Sequence, residues 1–379
     1  MEISKEEYSR RVGNLQEKLE EENLDAYLII NGENIYYLTG LAYRFFERPF
    51  FMLVPKSDSP ILLVPKLEEE HAHDIAGVEV YTYWDYPAKE GENWFNVLIE
   101  MVKSYQTLGV ESSLPLKYLR HLPEVVAKDL VEDLRLIKSK KEIEKVAFAS
   151  EVADRAVEVL IGNSAEGATA LMAIVNVSTE VYMKVLGKIP DANLMVTCST
   201  VAVWPAPISS MPHRAPGPFD VIKAGVPNVA LATIQSDGYS GECERTFFAT
   251  KVEDKAKKIF EDVMEARERA LEMVREDAIC SEVDLAARNY LIEKGYGENL
   301  LHRTGHGIGI GTHEAPWIAE GYDKPLKENM IISIEPGVYI HGYGGVRHSD
   351  TVLVKKKGYE LLTKFPRELE KLVIPKKAK

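Results

Sequence analysis

At 379 residues, 45% of them hydrophobic, the chain is longer than one hydrophobic core ordinarily serves and rich enough for real cores, so two domains are predicted. A formal net charge of −13 argues against a nucleic-acid binder and against docking on anionic lipid. Cys198, Cys243 and Cys280 make no disulfide framework, and the first residues lack the basic segment and apolar core of a signal peptide, so a cytoplasmic protein with no membrane partner is the simplest expectation.

In chain order, Ser4-Lys5-Glu6-Glu7 is a capping box, and Tyr8, Val12, Leu15 and Leu19 follow at helical spacing. Residues 24–30 read as a strand, Asn31-Gly32-Glu33-Asn34 as a turn, and 35–40 as its closing segment. Residues 50–54 and 61–64 read as paired strands about a turn at 56–60. Helices are expected at 68–75 and 93–105, with a strand at 78–83 between them. Strands alternating with helices predict an α/β domain over residues 1–130.

A second unit is expected over 134–379. Ser139-Lys140-Lys141-Glu142 is another capping box, and Ile143, Val146, Ala147, Ala153, Val157 and Leu160 form one apolar face, with the small Ser150 in the same stripe. Further helices are predicted at 168–185, 255–275 and 281–294, the last capped by Ser281 and ended by Gly295. The charge-free run 192–212 contains Pro205 and Pro207 and several polar residues, so it makes a poor membrane helix. Strand-like runs lie at 194–198, 229–234, 245–252, 330–334 and 351–354. The unit is α+β, with its candidate chemistry on the strands.

Glu335 ends the apolar run Met330-Ile331-Ile332-Ser333-Ile334 and is followed by Pro336-Gly337, which predicts a carboxylate at the end of a buried strand. Such a group must be paired, protonated or bound to a cation; the plainer alternative is a carboxylate that caps a turn. Near other strand ends stand His213, Glu242, Glu244, His306, His313, His348 and Asp350. Histidines supply acid or base near neutral pH, and facing carboxylates hold either a metal or a cationic substrate.

Gly305-His306-Gly307-Ile308-Gly309, His313-Glu314-Ala315-Pro316, Ile334-Glu335-Pro336-Gly337 and Gly344-Gly345-Val346-Arg347 with Asp350-Thr351-Val352 resemble, in order and spacing, the superfamily of methionine aminopeptidase, prolidase, aminopeptidase P and creatinase. Leu134-Arg135-Leu136-Ile137-Lys138-Ser139 resembles the start of its catalytic domain, and the resemblance spans nearly the whole chain. It implies a pita-bread catalytic domain over 134–379 and a ribonuclease-H-like α/β domain over 1–130. Metallopeptidases of the superfamily hold two divalent metals with two Asp, one His and two Glu. Carried over, the His falls on His306, the first Glu on Glu335, the second Glu on Ser349, the second Asp on Glu242 and the first Asp near Leu231. Leucine cannot ligate, and serine is a poor substitute for an anionic oxygen.

At these departures the chain is similar to creatinase, the metal-free member. That resemblance implies His213 as the proton-transfer histidine, and Glu244 and Glu335 as the pair that accepts a cationic head, with His306 at the intermediate. It also implies that Arg48, in Phe46-Glu47-Arg48-Pro49, clamps a substrate carboxylate across a homodimer interface. Phe46, His313 and His348 complete the expected substrate-binding set. The Arg that creatinase carries beyond its Gly-His segment is absent, for His313-Glu314-Ala315 stands there, and its last active-site His falls on Ser349 beside His348. The leading expectation is therefore a metal-independent hydrolase of a C–N bond in a small guanidino, amidino or amide compound, without a cofactor. The alternative is a metal-dependent Xaa-Pro dipeptidase or aminopeptidase using Mn, Co, Zn or Fe, with Glu242, His306 and Glu335 as the surviving ligands. A non-catalytic binding member of the family is a further alternative.

Overall fold

The computed structural model describes residues 1–43, 47–73 and 75–376. The chain forms two compact units, Glu2–Arg135 and Leu136–Lys379, the second also taking in Met1.

The amino-terminal unit is built on six strands: β1 (Ala26–Ile29), β2 (Phe51–Pro55), β3 (Ile61–Pro65), β4 (Glu79–Tyr83), β5 (Leu108–Val110) and β6 (Val125–Ala127). They form one mixed sheet in the order β4-β3-β2-β1-β5-β6. β1 is buried throughout, as its unbroken apolar run requires of a central strand. Ser4 caps the helix Lys5–Glu21 by accepting from the Glu7 amide. On that helix the buried Arg11 donates to Glu7 and to the Tyr37 carbonyl, both at 2.7 Å.

The stretch expected as a turn at 31–34 is instead the start of a helix, Gly32–Thr39. Asn31 accepts from the Glu33 and Asn34 amides, so its side chain serves as a helix cap rather than closing a hairpin. Gly40, at φ +75°, ends the helix in the left-handed conformation that glycine takes without strain. The helix expected at 68–75 is a single turn, Glu69–Ala72, after a 3₁₀ segment.

The carboxyl-terminal unit carries β7 (Cys198–Trp204), β8 (Ala224–Gly225), β9 (Asn228–Ser236), β10 (Tyr239–Val252), β11 (Gly305–Gly307), β12 (Glu314–Ile318), β13 (Ile331–Ile334), β14 (Gly337–Ile340), β15 (Gly344–Arg347), β16 (Ser349–Val354), β17 (Tyr359–Leu361) and β18 (Val373–Ile374). The main sheet runs β12-β11-β13-β16-β10-β9-β7, and β14 pairs with β15 apart from it. The helix Lys140–Asn163 opens with the full capping box of Ser139 and Glu142 and packs on β9 and β10. Its approach is close because Gly241 has no side chain: a Cβ there would lie 2.3 Å from the Ser150 amide nitrogen. The helix thus rests on the backbone one residue before Glu242.

Two expected helices differ in their ends. The one predicted at 168–185 is broken into Ala170–Ile174 and Val177–Lys188, because Asn176 takes a left-handed φ of +65°. The last helix runs Cys280–Glu293 with Ile279 at its cap position, while the Ser281 hydroxyl donates to Asp323.

Behind the sheet lies a buried charge cluster. Asp350 accepts from Arg245 at 2.8 Å, Arg267 at 2.8 Å, Arg367 at 2.7 Å and the Thr363 hydroxyl at 2.7 Å. Burial alone would raise the Asp350 carboxyl, but Arg245, Arg267 and Arg367 hold it well below the usual carboxylate range. Asp350 and Arg245 are therefore structural, and Glu244 does not pair with its sequence neighbour Arg245.

Candidate active site

The alternation of β10 puts Glu242 and Glu244 on one face of the sheet and Cys243 and Arg245 on the other. The first face forms the floor of a cleft of about 460 Å³, and the residues that line it belong to the carboxyl-terminal unit. His213, Glu242, Glu244, His306, His313 and Glu335, far apart in sequence, all line this cleft.

His306 is centred on β11, opposite Trp317 of β12. Its flanking glycines are required by neighbouring backbone rather than by a ligand. A Cβ at Gly305 would lie 2.0 Å from the Ser333 carbonyl oxygen, and one at Gly307 would lie 2.1 Å from that of Ala315. The sheet can close around His306 only because both neighbours lack side chains. Its Nε2 lies 3.2 Å from Glu335 Oε1, and its Nδ1 lies 3.0 Å from the Gly307 carbonyl. Burial opposes a charge on His306, yet the bond to Glu335 and the charges of Glu335 and Glu242 raise it to about 9. Burial likewise pushes Glu335 up, but His306 holds it down at about 2.

Glu242 has weaker company. Ser349 donates to its Oε1 at 2.7 Å, and Thr233, its cross-strand neighbour, donates to its Oε2 at 3.3 Å. Burial and the adjacent Glu335 charge raise its pKa. Glu244 is fully engaged: Arg347 donates through Nη2 to its Oε1 at 2.6 Å and pairs through Nε with its Oε2. Burial pulls the guanidinium down, but the Glu244 carboxylate beside it holds Arg347 charged.

The cleft walls carry the remaining histidines. The His313 ring meets the His306 ring edge-on at 4.1 Å, and burial and the His306 charge lower its pKa to about 4. His302 also lines the cleft, with Nε2 2.7 Å from the Tyr339 hydroxyl. His213 is exposed on the segment between β7 and β8. Two lining cations and one aromatic were not singled out from the sequence. Arg347 has no local signal because its partner is more than a hundred residues away; Arg303 stands next to His302; and Trp204 donates to the Arg214 carbonyl at 2.6 Å.

One expected contact needs correction. His348 does not line the cleft: it is fully buried between β15 and β16, edge-on to Phe260 with ring centroids 5.0 Å apart, because the chain turns its side chain away from the face that carries Arg347 and Ser349. Arg48, expected to act across a homodimer interface, pairs within its own amino-terminal unit with Asp85 at 2.8 Å and Glu47 at 2.9 Å. Phe46 lies outside the described residues.

Ligand atoms of Glu242, Glu244 and Glu335 all lie within 4.8 Å of one another, as do those of Glu242, His306 and His313. Three buried carboxylates facing one guanidinium and the His306 imidazole leave negative charge that hydroxyl donors alone do not neutralise. A divalent cation satisfies that excess, so the donor set fits a metal at Glu242, His306 and Glu335. The expectation of no cofactor has no support in this chemistry.

The comparisons with known proteins agree. The chain matches the model of metallopeptidase family M24 over residues 144–356 and that of the creatinase/prolidase N-terminal domain over 11–146. It is 32% identical to the Xaa-Pro dipeptidase of Pyrococcus horikoshii over 371 residues, covering 95% of this chain and 99% of that one. The crystal structure of the prolidase from the same organism superposes with a TM-score of 0.81 at 30% identity, over 95% of this chain and 99% of that chain. Dipeptidase PepE from Mycobacterium ulcerans superposes at 0.84 with 25% identity, over 99% of this chain and 100% of that chain.

These findings overturn the metal-independent, creatinase-like reading. Relatives that match over 95% of the chain include two Xaa-Pro dipeptidases, and the matching catalytic model is that of a metallopeptidase. The physical reason lies at Glu244, whose two oxygens are held by the chain's own guanidinium, Arg347, and so are not free for that of a substrate. The chain belongs to metallopeptidase family M24, with the two-domain pita-bread architecture of prolidase, and is a hydrolase of C–N bonds.

Proposed function

We propose that the chain is a metal-dependent peptidase that cleaves dipeptides of the Xaa-Pro type. The observation that carries this reading is the buried cluster of Glu242, His306 and Glu335 on the floor of a dipeptide-sized cleft, in a chain 32% identical over 95% of its length to an Xaa-Pro dipeptidase. Glu242, His306 and Glu335 would hold the cation, which when bound supplies Lewis acidity toward a peptide carbonyl.

The remaining work falls to the chain's own groups. The Gly307 carbonyl fixes the ring of His306 through Nδ1, which leaves Nε2, beside Glu335, as the nitrogen that would face the cation. His213, exposed at the cleft wall, would return a proton to the departing prolyl nitrogen. Arg303 stacks over the Trp317 ring at 4.4 Å and donates through Nε to the Gly305 carbonyl, and among the described residues no carboxylate pairs with it. A fixed guanidinium with free donors suits the carboxylate at the end of a dipeptide. Trp204 and Pro212 give the cleft an apolar wall for a prolyl ring.

The test is turnover of a panel of Xaa-Pro dipeptides by protein stripped of metal and then supplied with Mn, Co, Zn or Fe, beside guanidino and ureido acids. Metal-dependent cleavage of the dipeptides alone is expected. Absence of dipeptide cleavage with every metal overturns the reading.

A further inference from the structure

We propose that the cleft holds one divalent cation rather than two, because Leu231 and Ser349 offer no anionic oxygen and Glu244, between them, is spent on Arg347. This rests on the metal-dependent reading above and sets its stoichiometry.

The argument starts from the sheet register. Glu244 faces Leu231 across the β9–β10 ladder and Ser349 across the β10–β16 ladder. Neither neighbour carries an anionic oxygen. Leu231 presents hydrocarbon to the cleft, and the Ser349 hydroxyl is committed to Glu242 at 2.7 Å. At the centre of this row both oxygens of Glu244 are taken by Arg347. Glu244 is 1% exposed and Arg347 6% exposed, so water does not loosen the pair. Separating them would leave an uncompensated buried charge.

Paired divalent ions sit roughly 3.5–4 Å apart and need oxygens placed to serve both of them. Hard cations of that charge need several anionic oxygens each. With Glu244 spent, Glu242 and Glu335 are, among the described residues, the anionic donors left in this cleft, joined by the imidazoles of His306 and His313. That is a ligand set for one ion. Charge leads to the same number. With His306 a neutral imidazole ligand, three ionised carboxylates against the buried guanidinium of Arg347 leave two negative charges, which one divalent cation balances. Arg303, the other cation of the lining, is only half-buried and adds positive charge, which further disfavours a second ion.

The experiment is titration of the metal-stripped protein with manganese alone, read by isothermal calorimetry and by elemental analysis after gel filtration. One equivalent per chain is expected, with an electron paramagnetic resonance spectrum of isolated, uncoupled Mn. Two equivalents with exchange-coupled spectra would overturn the single-ion proposal while leaving metal dependence standing. No bound metal at all would overturn both, which separates the two failures. A second arm restores the missing donors in Leu231→Asp with Ser349→Glu. That variant is expected to take up a second equivalent and give a coupled spectrum. If it folds, as judged by circular dichroism, and still binds one, the assignment of the limit to these positions is wrong. If it does not fold, the wild-type stoichiometry decides alone.

Discussion

Glu244 and Leu231 stand opposite each other in the antiparallel β9–β10 register, so the cleft floor carries a carboxylate on one strand and hydrocarbon on the next. Turned toward Arg347 rather than toward a free ligand, Glu244 serves the architecture of the floor. Glu244→Gln is therefore expected to weaken the hold on Arg347 and lower the thermal midpoint, while the manganese stoichiometry stays unchanged. Breaking one side of a buried pair costs about 3–5 kcal/mol. A variant of wild-type stability that no longer binds manganese would show Glu244 to be a ligand instead.

His213 is exposed and, among the described residues, no hydrogen bond or ion pair engages its ring, so His213→Ala should leave the melting temperature nearly unchanged. Turnover of Xaa-Pro dipeptides should fall by roughly 10²–10⁴, the usual value of positioned proton transfer. Full activity in the variant would remove the proton-transfer role.

Arg303→Met keeps a long apolar side chain against Trp317 while removing the guanidinium. Hydrogen bonds to a charged group are worth about 1.5–3 kcal/mol, so KM for free dipeptides should rise about tenfold or more, with little change in kcat. Dipeptide amides, which lack the carboxylate, should show no such difference between variant and wild type. An equal loss on both substrates would assign Arg303 a structural role.

Asp350 links three arginines behind the sheet, and Asp350→Asn should destabilise the unit by about 3–5 kcal/mol in urea unfolding at pH 7. Its folded pKa is depressed well below the ordinary value of 3.8, so the stabilisation is fully present above that value and drains only as pH falls through the folded one. The gap between wild type and variant should stay constant from pH 7 down to the ordinary value and narrow below it. A gap that narrows between pH 7 and 5 would contradict the assignment.

Gly241→Ala tests how the helix Lys140–Asn163 sets the floor. The new methyl would lie 2.3 Å from the Ser150 nitrogen, so helix and strand must separate next to Glu242. Overpacking of this kind costs typically 1–3 kcal/mol, and weaker manganese binding should accompany the drop in melting temperature. Unchanged affinity and stability would show that the contact can yield.

Much of the floor is legible in the sequence, because period-two alternation in β10 and the apolar run before Glu335 are local signals. The capping boxes at Ser4 and Ser139 are equally local, and they mark helix starts directly. Asn31-Gly32 is ambiguous, since the same residues open a turn or cap a short helix, and only the packing of Ile35 and Leu38 decides for the helix. The burial of His348 follows from where β15 ends and β16 begins, a boundary that no neighbouring residue announces. The pairing of Glu244 with Arg347 is a product of sheet topology and cannot be read from either segment alone. That pairing reverses the meaning of Glu244, from an open acceptor for a cationic substrate to a group already occupied.

The most direct measurement is hydrolysis of an Xaa-Pro dipeptide by chelator-stripped protein before and after addition of manganese. The account predicts no turnover in the stripped protein, full recovery on adding manganese, and failure to recover in Glu335→Gln. Undiminished turnover by the stripped protein, or no turnover with any divalent metal, would contradict it.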